Sequence, residues 1–73
     1  MINIRKIIQL DGTEYKIGDV LYRENKSFVI ESLNLQYILI GDMEFPVVRI
    51  YVVESGSPYM DIPYHAISIL FYS

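Results

Sequence analysis

The chain has 73 residues, 52% apolar and 21% charged, with a net charge of −3. That is one small domain with a single core and no room for a separate catalytic domain. Zero Cys excludes disulfides and thiolate metal sites, and a lone His leaves little for zinc or acid–base chemistry.

Twelve Ile, six Val, seven Tyr and three Phe stand against one Ala, Ala66, which favours strands over a helical bundle. In chain order, Ile2–Leu10 alternates with period two and reads as a half-buried strand. Ile2, Ile4, Ile8 and Leu10 share one face, and Ile7 lies on the other. Asp11-Gly12 predicts a two-residue hairpin turn with positive φ at both central positions, and Thr13–Ile17 the return strand. Gly18-Asp19 predicts a second turn, followed by a strand at Val20–Arg23, and Glu24–Ser27 a third turn. Phe28–Leu33 and Gln36–Ile40 read as two strands, or one strand past a bulge, with Asn34 the weak point. Gly41–Pro46 is expected to be a loop, because proline cannot donate to a central ladder. Val47–Glu54 is an uninterrupted strand candidate, ended by Ser55–Pro58. Tyr59–Ile62 is short and extended, Pro63–Ala66 fits one 3₁₀ turn, and Ile67–Tyr72 is the last strand. The whole pattern predicts one all-β domain spanning 1–73, a small antiparallel barrel of five to seven short strands with a single 3₁₀ turn before the last strand.

Two segments carry a family resemblance. Tyr15-Lys16-Ile17-Gly18-Asp19-Val20-Leu21-Tyr22 resembles the diverging turn of Src-homology-3-like small barrels. Ile62-Pro63-Tyr64-His65-Ala66-Ile67-Ser68-Ile69-Leu70 is similar to the same fold's ending, with its 3₁₀ turn and final strand. The resemblance implies a barrel fold and stops short of the peptide-binding members. Those use a Trp that this chain lacks, and Ala66 stands where their terminal motif carries a Tyr. Fold analogy supplies no function.

Charge is distributed unevenly. Residues 1–27 hold Arg5, Lys6, Lys16, Arg23 and Lys26 against Asp11, Glu14, Asp19 and Glu24. Residues 28–73 hold only Arg49 against Glu31, Asp42, Glu44, Glu54 and Asp61. Nucleic-acid binding needs clustered Lys and Arg, so it is disfavoured, surviving only if Arg5, Lys6, Arg23 and Lys26 gather in space. No apolar run approaches the roughly 18 residues needed to span a membrane. The opening residues carry charges where a signal peptide would be apolar, so a cytoplasmic location is expected. His65, with Asp61 the only carboxylate nearby in sequence, reads as a turn residue and not as a catalytic base. Asp42 and Glu44 lack the dense oxygen spacing of a calcium loop, and no glycine-rich phosphate loop occurs. No cofactor, metal site or enzymatic activity is expected.

Tyrosines 37, 51, 59, 64 and 72 fall in the acidic region. A rigid apolar ring with a polar tip suits protein contact. In both Leu35–Ile40 and Val47–Val53 the second strand face lacks polar residues, broken only by Arg49. The expected function is protein–protein interaction through an acidic, tyrosine-rich surface. Its partner-binding candidates are Asp42, Glu44, Arg49, Tyr51, Glu54, Tyr59, Asp61 and Tyr64. Its interface candidates, toward a partner or a second copy in a homo-oligomer, are Leu35, Tyr37, Leu39, Val47 and Val53. In compositional style the chain resembles phage or mobile-element accessory proteins, which implies inhibition of a host enzyme or defence complex. The alternative is a small-molecule site between subunits, lined by Arg49, Tyr51 and Tyr64.

Overall fold

A computed structural model describes residues 2–72. Seven strands form one antiparallel sheet: β1 (Ile2–Gln9), β2 (Glu14–Lys16), β3 (Val20–Arg23), β4 (Lys26–Ile40), β5 (Met43–Val52), β6 (Met60–Pro63) and β7 (Ile67–Tyr72). A 3₁₀ turn, Tyr64–Ala66, precedes β7. The sheet runs β7-β1-β4-β5-β6, with β2 also paired to β1 and β3 to β4. It curls into a half-barrel, and the 3₁₀ turn links its two outer strands, β6 and β7. The expected small all-β domain is therefore present, including the single 3₁₀ turn.

Turn chemistry sets the local shape, with one departure at the first hairpin. Only Gly12 there has positive φ, at 91°. The Gly12 amide donates to Gln9 O at 3.0 Å and the Gln9 amide to Thr13 O at 2.8 Å, so the loop has three residues instead of two. Asp11 Oδ1 accepts from the Thr13 amide at 2.8 Å. This bond holds the Asp11 carboxyl below its ordinary value. The Gly18-Asp19 turn docks on the middle of β4: Gly18 N–H donates to Ile30 O and Ile30 N–H to Asp19 O, both at 2.9 Å. The third turn shrinks to Glu24-Asn25, both left-handed with φ of 52° and 65°.

The apolar core is Ile4, Ile7, Ile30, Leu33, Val48, Ile50 and Ile62. The sequence alternation places Ile4 and Ile7 on opposite faces, yet both are fully buried. The reason is a register shift in β1 between Ile4 and Lys6. The extra residue, Arg5, reverses the phase of the strand, so Ile7 turns inward and Lys6 and Ile8 turn out. Alternation counted from the sequence cannot foresee a bulge.

The largest departure is at β4 and β5. β4 is one continuous strand of 15 residues, bulged between Ile30 and Ser32 and uninterrupted at Asn34. Residues 41–46 are not a loop. Gly41 and Asp42 alone make the turn, and Met43–Pro46 pairs with Tyr37–Ile40. Gly41 has φ of 63°, the left-handed value wanted at the first central position of a tight hairpin. Pro46 is tolerated because β6 stops opposite Val47. Beyond that point β5 has one neighbour, and the missing N–H costs nothing on the open side.

Candidate functional site

Among the described residues, β4 and β5 run on alone past the ends of β1 and β6 as a two-stranded arm, residues 36–46. Its register pairs Tyr37 with Pro46, Ile38 with Phe45, Leu39 with Glu44 and Ile40 with Met43. Directly opposed residues share a face. One face therefore carries Ile38, Phe45, Ile40 and Met43, and the other Tyr37, Pro46, Leu39 and Glu44. Both are mainly apolar. Tyr37 is 69% exposed, Leu39 71%, Ile40 61%, Met43 63% and Phe45 39%. Asp42 and Glu44 give the tip two negative charges, and no Lys or Arg occurs between residues 36 and 46.

Each face ends in a groove at the base of the arm. One groove, about 610 Å³, runs between Ile38, Phe45 and Val47 on the arm side and Pro63, Tyr64 and His65 on the 3₁₀ side. The other is lined by Ile2, Leu35, Gln36, Tyr37, Pro46 and Tyr64. Tyr64 lines both. The 3₁₀ turn thus sets a tyrosine at the root of the arm.

Behind the arm, on the Ile38–Phe45 face, β5 carries Arg49 opposite Asn34 on β4 and Asp61 on β6. Arg49 Nε and Nη2 donate to Asp61 Oδ1 and Oδ2 at 2.8 and 3.0 Å, a two-pronged ion pair. With its amide turned to accept, Gln36 Oε1 lies 3.2 Å from Arg49 Nη1. The Asp61 hydrogen bond raises the Arg49 pKa further above its ordinary value. Tyr51 adjoins the guanidinium on the same face. Arg49 and Asp61 are therefore brought together, each neutralising the other.

Other candidate residues lie elsewhere. Glu54 follows the end of β5 with φ of 67° and lines a cleft with Tyr59. In that cleft the Arg23 guanidinium sits 4.4 Å from the Tyr59 ring centroid, and Phe28 tilts against Tyr59 at 5.2 Å. Glu44 lies near the start of β5 and Glu54 two residues past its end, roughly 30 Å apart if the chain between them is extended. Of the interface candidates, Val47 is buried at 4% exposure and Leu35 is half-buried against the core. Tyr37, Leu39 and Val53 are exposed.

Sequence reading missed Met43 and Phe45, because Gly41–Pro46 reads as a loop, and it left Ile40, at the end of the strand it did read, out of the interface candidates. The available signal was a Gly-Asp turn flanked directly by apolar residues. It also missed Arg23 and Phe28 as neighbours of Tyr59, a contact between β3, β4 and the β5–β6 connection that no local pattern carries. Among the described residues no three His, Asp or Glu converge as metal ligands. Nor, among them, is any helix long and apolar enough to cross a membrane. Compared with known proteins, the chain matches no family model, no curated sequence and no solved structure.

Proposed function

We propose that this protein is a non-enzymatic protein-binding module, and that the β4–β5 arm is its contact element. One observation carries the reading. Tyr37, Leu39, Ile40, Met43 and Phe45 stand exposed on both faces of a ribbon that, among the described residues, no other strand covers. A contiguous apolar surface of this kind costs free energy in water and marks an interaction site. Asp42 and Glu44 at the tip, with no Lys or Arg in residues 36–46, fit a partner whose cleft is apolar along its walls and basic at its end. An arm with apolar walls and an acidic tip can occupy a groove that otherwise receives phosphates. In that role the protein is a competitive inhibitor of a nucleic-acid-binding enzyme.

The test is in two stages. A photo-reactive amino acid at position 39 covalently marks the partner in its native host, and titration calorimetry then measures its affinity. Leu39→Asp is expected to weaken binding by about tenfold or more. Exchanging Asp42 and Glu44 for Lys is expected to weaken it and to flatten its salt dependence. If both variants bind the partner as wild type does, the arm is not the contact element.

A further inference from the structure

Arg23 and Lys26 close the β3–β4 hairpin as a directly opposed pair, around the turn at Glu24-Asn25. Opposed residues share a face, with Cβ atoms roughly 5 Å apart, and two like charges so placed repel. Among the described residues neither forms an ion pair, with Glu24 or any other acid. The other opposed cations, Lys6 and Lys16, differ, since Lys6 Nζ lies 3.3 Å from Glu14 Oε1. At Arg23 and Lys26 only an anion from outside the chain relieves the repulsion.

The Arg23 side chain is nonetheless held in place. Leu21, Arg23, Lys26 and Phe28 lie on one face of the hairpin. Arg23 and Phe28 both meet Tyr59 there: the guanidinium sits 4.4 Å from the Tyr59 centroid, and the two ring centroids are 5.2 Å apart. Stacking on a ring fixes the guanidinium plane and leaves its edge N–H groups free to grip an oxyanion.

Arg23 lines a cleft of about 600 Å³, within the roughly 300–1,000 Å³ of small-molecule sites. The cleft lies at the far end of β4 and β5 from the arm. Val29, Val53 and Pro58 give it apolar walls, and Glu54 a carboxylate. Val29 O accepts from the Val53 amide at 2.9 Å. Ser27, two residues earlier in β4, therefore turns its own N–H to the same side, past the end of β5. Ser27 lines the cleft, so its amide is a further donor there.

We infer that this cleft binds a nucleoside monophosphate whose base carries an exocyclic amino group. Each part of the ligand answers a part of the cleft. Two adjacent cations match about two negative charges, which a phosphomonoester carries near pH 7 and a single carboxylate does not. A flat base displaces water from the Val29, Val53 and Pro58 walls, where a bare sugar phosphate would bury hydroxyls without partners. Glu54 accepts from the amino group of cytosine, adenine or guanine and repels an edge made of carbonyls. A longer nucleic acid is opposed by the net charge of −3. The site needs neither the arm nor a second copy, so it does not rest on the proposed function of the arm.

Titration calorimetry of the full chain at low salt tests it. The probes are the monophosphates of adenosine, guanosine, cytidine and uridine, their unphosphorylated nucleosides, and inorganic phosphate. At least one amino-bearing monophosphate should bind with a Kd of roughly 1 mM or tighter. Its nucleoside, uridine monophosphate and inorganic phosphate should each bind about tenfold more weakly or worse. Arg23→Gln and Lys26→Gln should each weaken the monophosphate about tenfold. The Lys26 variant keeps the Arg23–Tyr59–Phe28 contacts, so it reads the loss of charge without loss of the cleft. Leu39→Asp on the arm should bind as wild type does. Failure of every monophosphate to bind overturns the inference. So does equal affinity for the nucleoside, for uridine monophosphate or for inorganic phosphate. Wild-type affinity in both cation variants, or loss of binding in Leu39→Asp, also overturns it, because the ligand would then sit elsewhere.

Discussion

Arg49 is the only Lys or Arg beyond residue 26, and the fold commits it to Asp61. Their side chains are 25% and 30% exposed, so water screens the pair only in part. A lone cation on an apolar strand face is a hazard when unpaired, because desolvation is not offset. Here the strand register itself supplies the partner: Arg49 stands directly opposite Asp61. A double-mutant cycle with Arg49→Met and Asp61→Asn should give a coupling of about 1 kcal/mol in urea unfolding. A coupling near zero would mean that the pair is a surface contact without energetic weight.

At the scale of elements, β4 and β5 divide into two regimes along one hairpin. In the body half, Leu33, Val48 and Ile50 are buried between β1 and β6. In the arm half the same apolar residue types face water. Identical chemistry therefore has opposite consequences for stability. Ile50→Ala leaves a cavity in the core and should cost about 3 kcal/mol. Leu39→Asp and Ile40→Asp remove no buried contact and should change stability by at most about 0.5 kcal/mol. Urea denaturation of the three variants checks this directly. A large loss from either arm variant would show that the arm packs on its own body.

The whole molecule measures 36 × 24 × 22 Å, longer than a compact domain of its size needs to be, and the arm extends well past the sheet's other strands. Among the described residues, no third strand pairs with the backbone at its tip. Hydrogen exchange should therefore be graded along the hairpin, fast at Leu39–Glu44 and slowest at Leu33 and Ile50. Uniform protection along β4 and β5 would argue instead that the arm tip is covered in solution. A protruding apolar ribbon also raises the risk of aggregation, which the net charge of −3 opposes.

Composition and period-two alternation sufficed for the fold class, because strand preference and turn residues act locally. Asp11-Gly12, Gly18-Asp19 and Pro63–Ala66 each marked a turn that the structure contains. The apolar surplus in 35–40 and 47–53 was legible too, as was its concentration in two strands. Its outcome was not. Whether an apolar side chain is buried depends on which strands lie beside it, and that follows from where β1 and β6 stop. Val47 falls opposite the last residue of β6 and is covered, whereas Tyr37 and Phe45 fall beyond both neighbours and are not. The β1 bulge at Arg5 is of the same kind, since pairing with β7, at the other end of the described chain, decides which isoleucine turns inward. The sequence by itself determined that this chain forms a strand-rich domain with more apolar surface than one sheet face can hide. Only the tertiary structure decided where that surface emerges, because burial is a property of neighbours and not of residues.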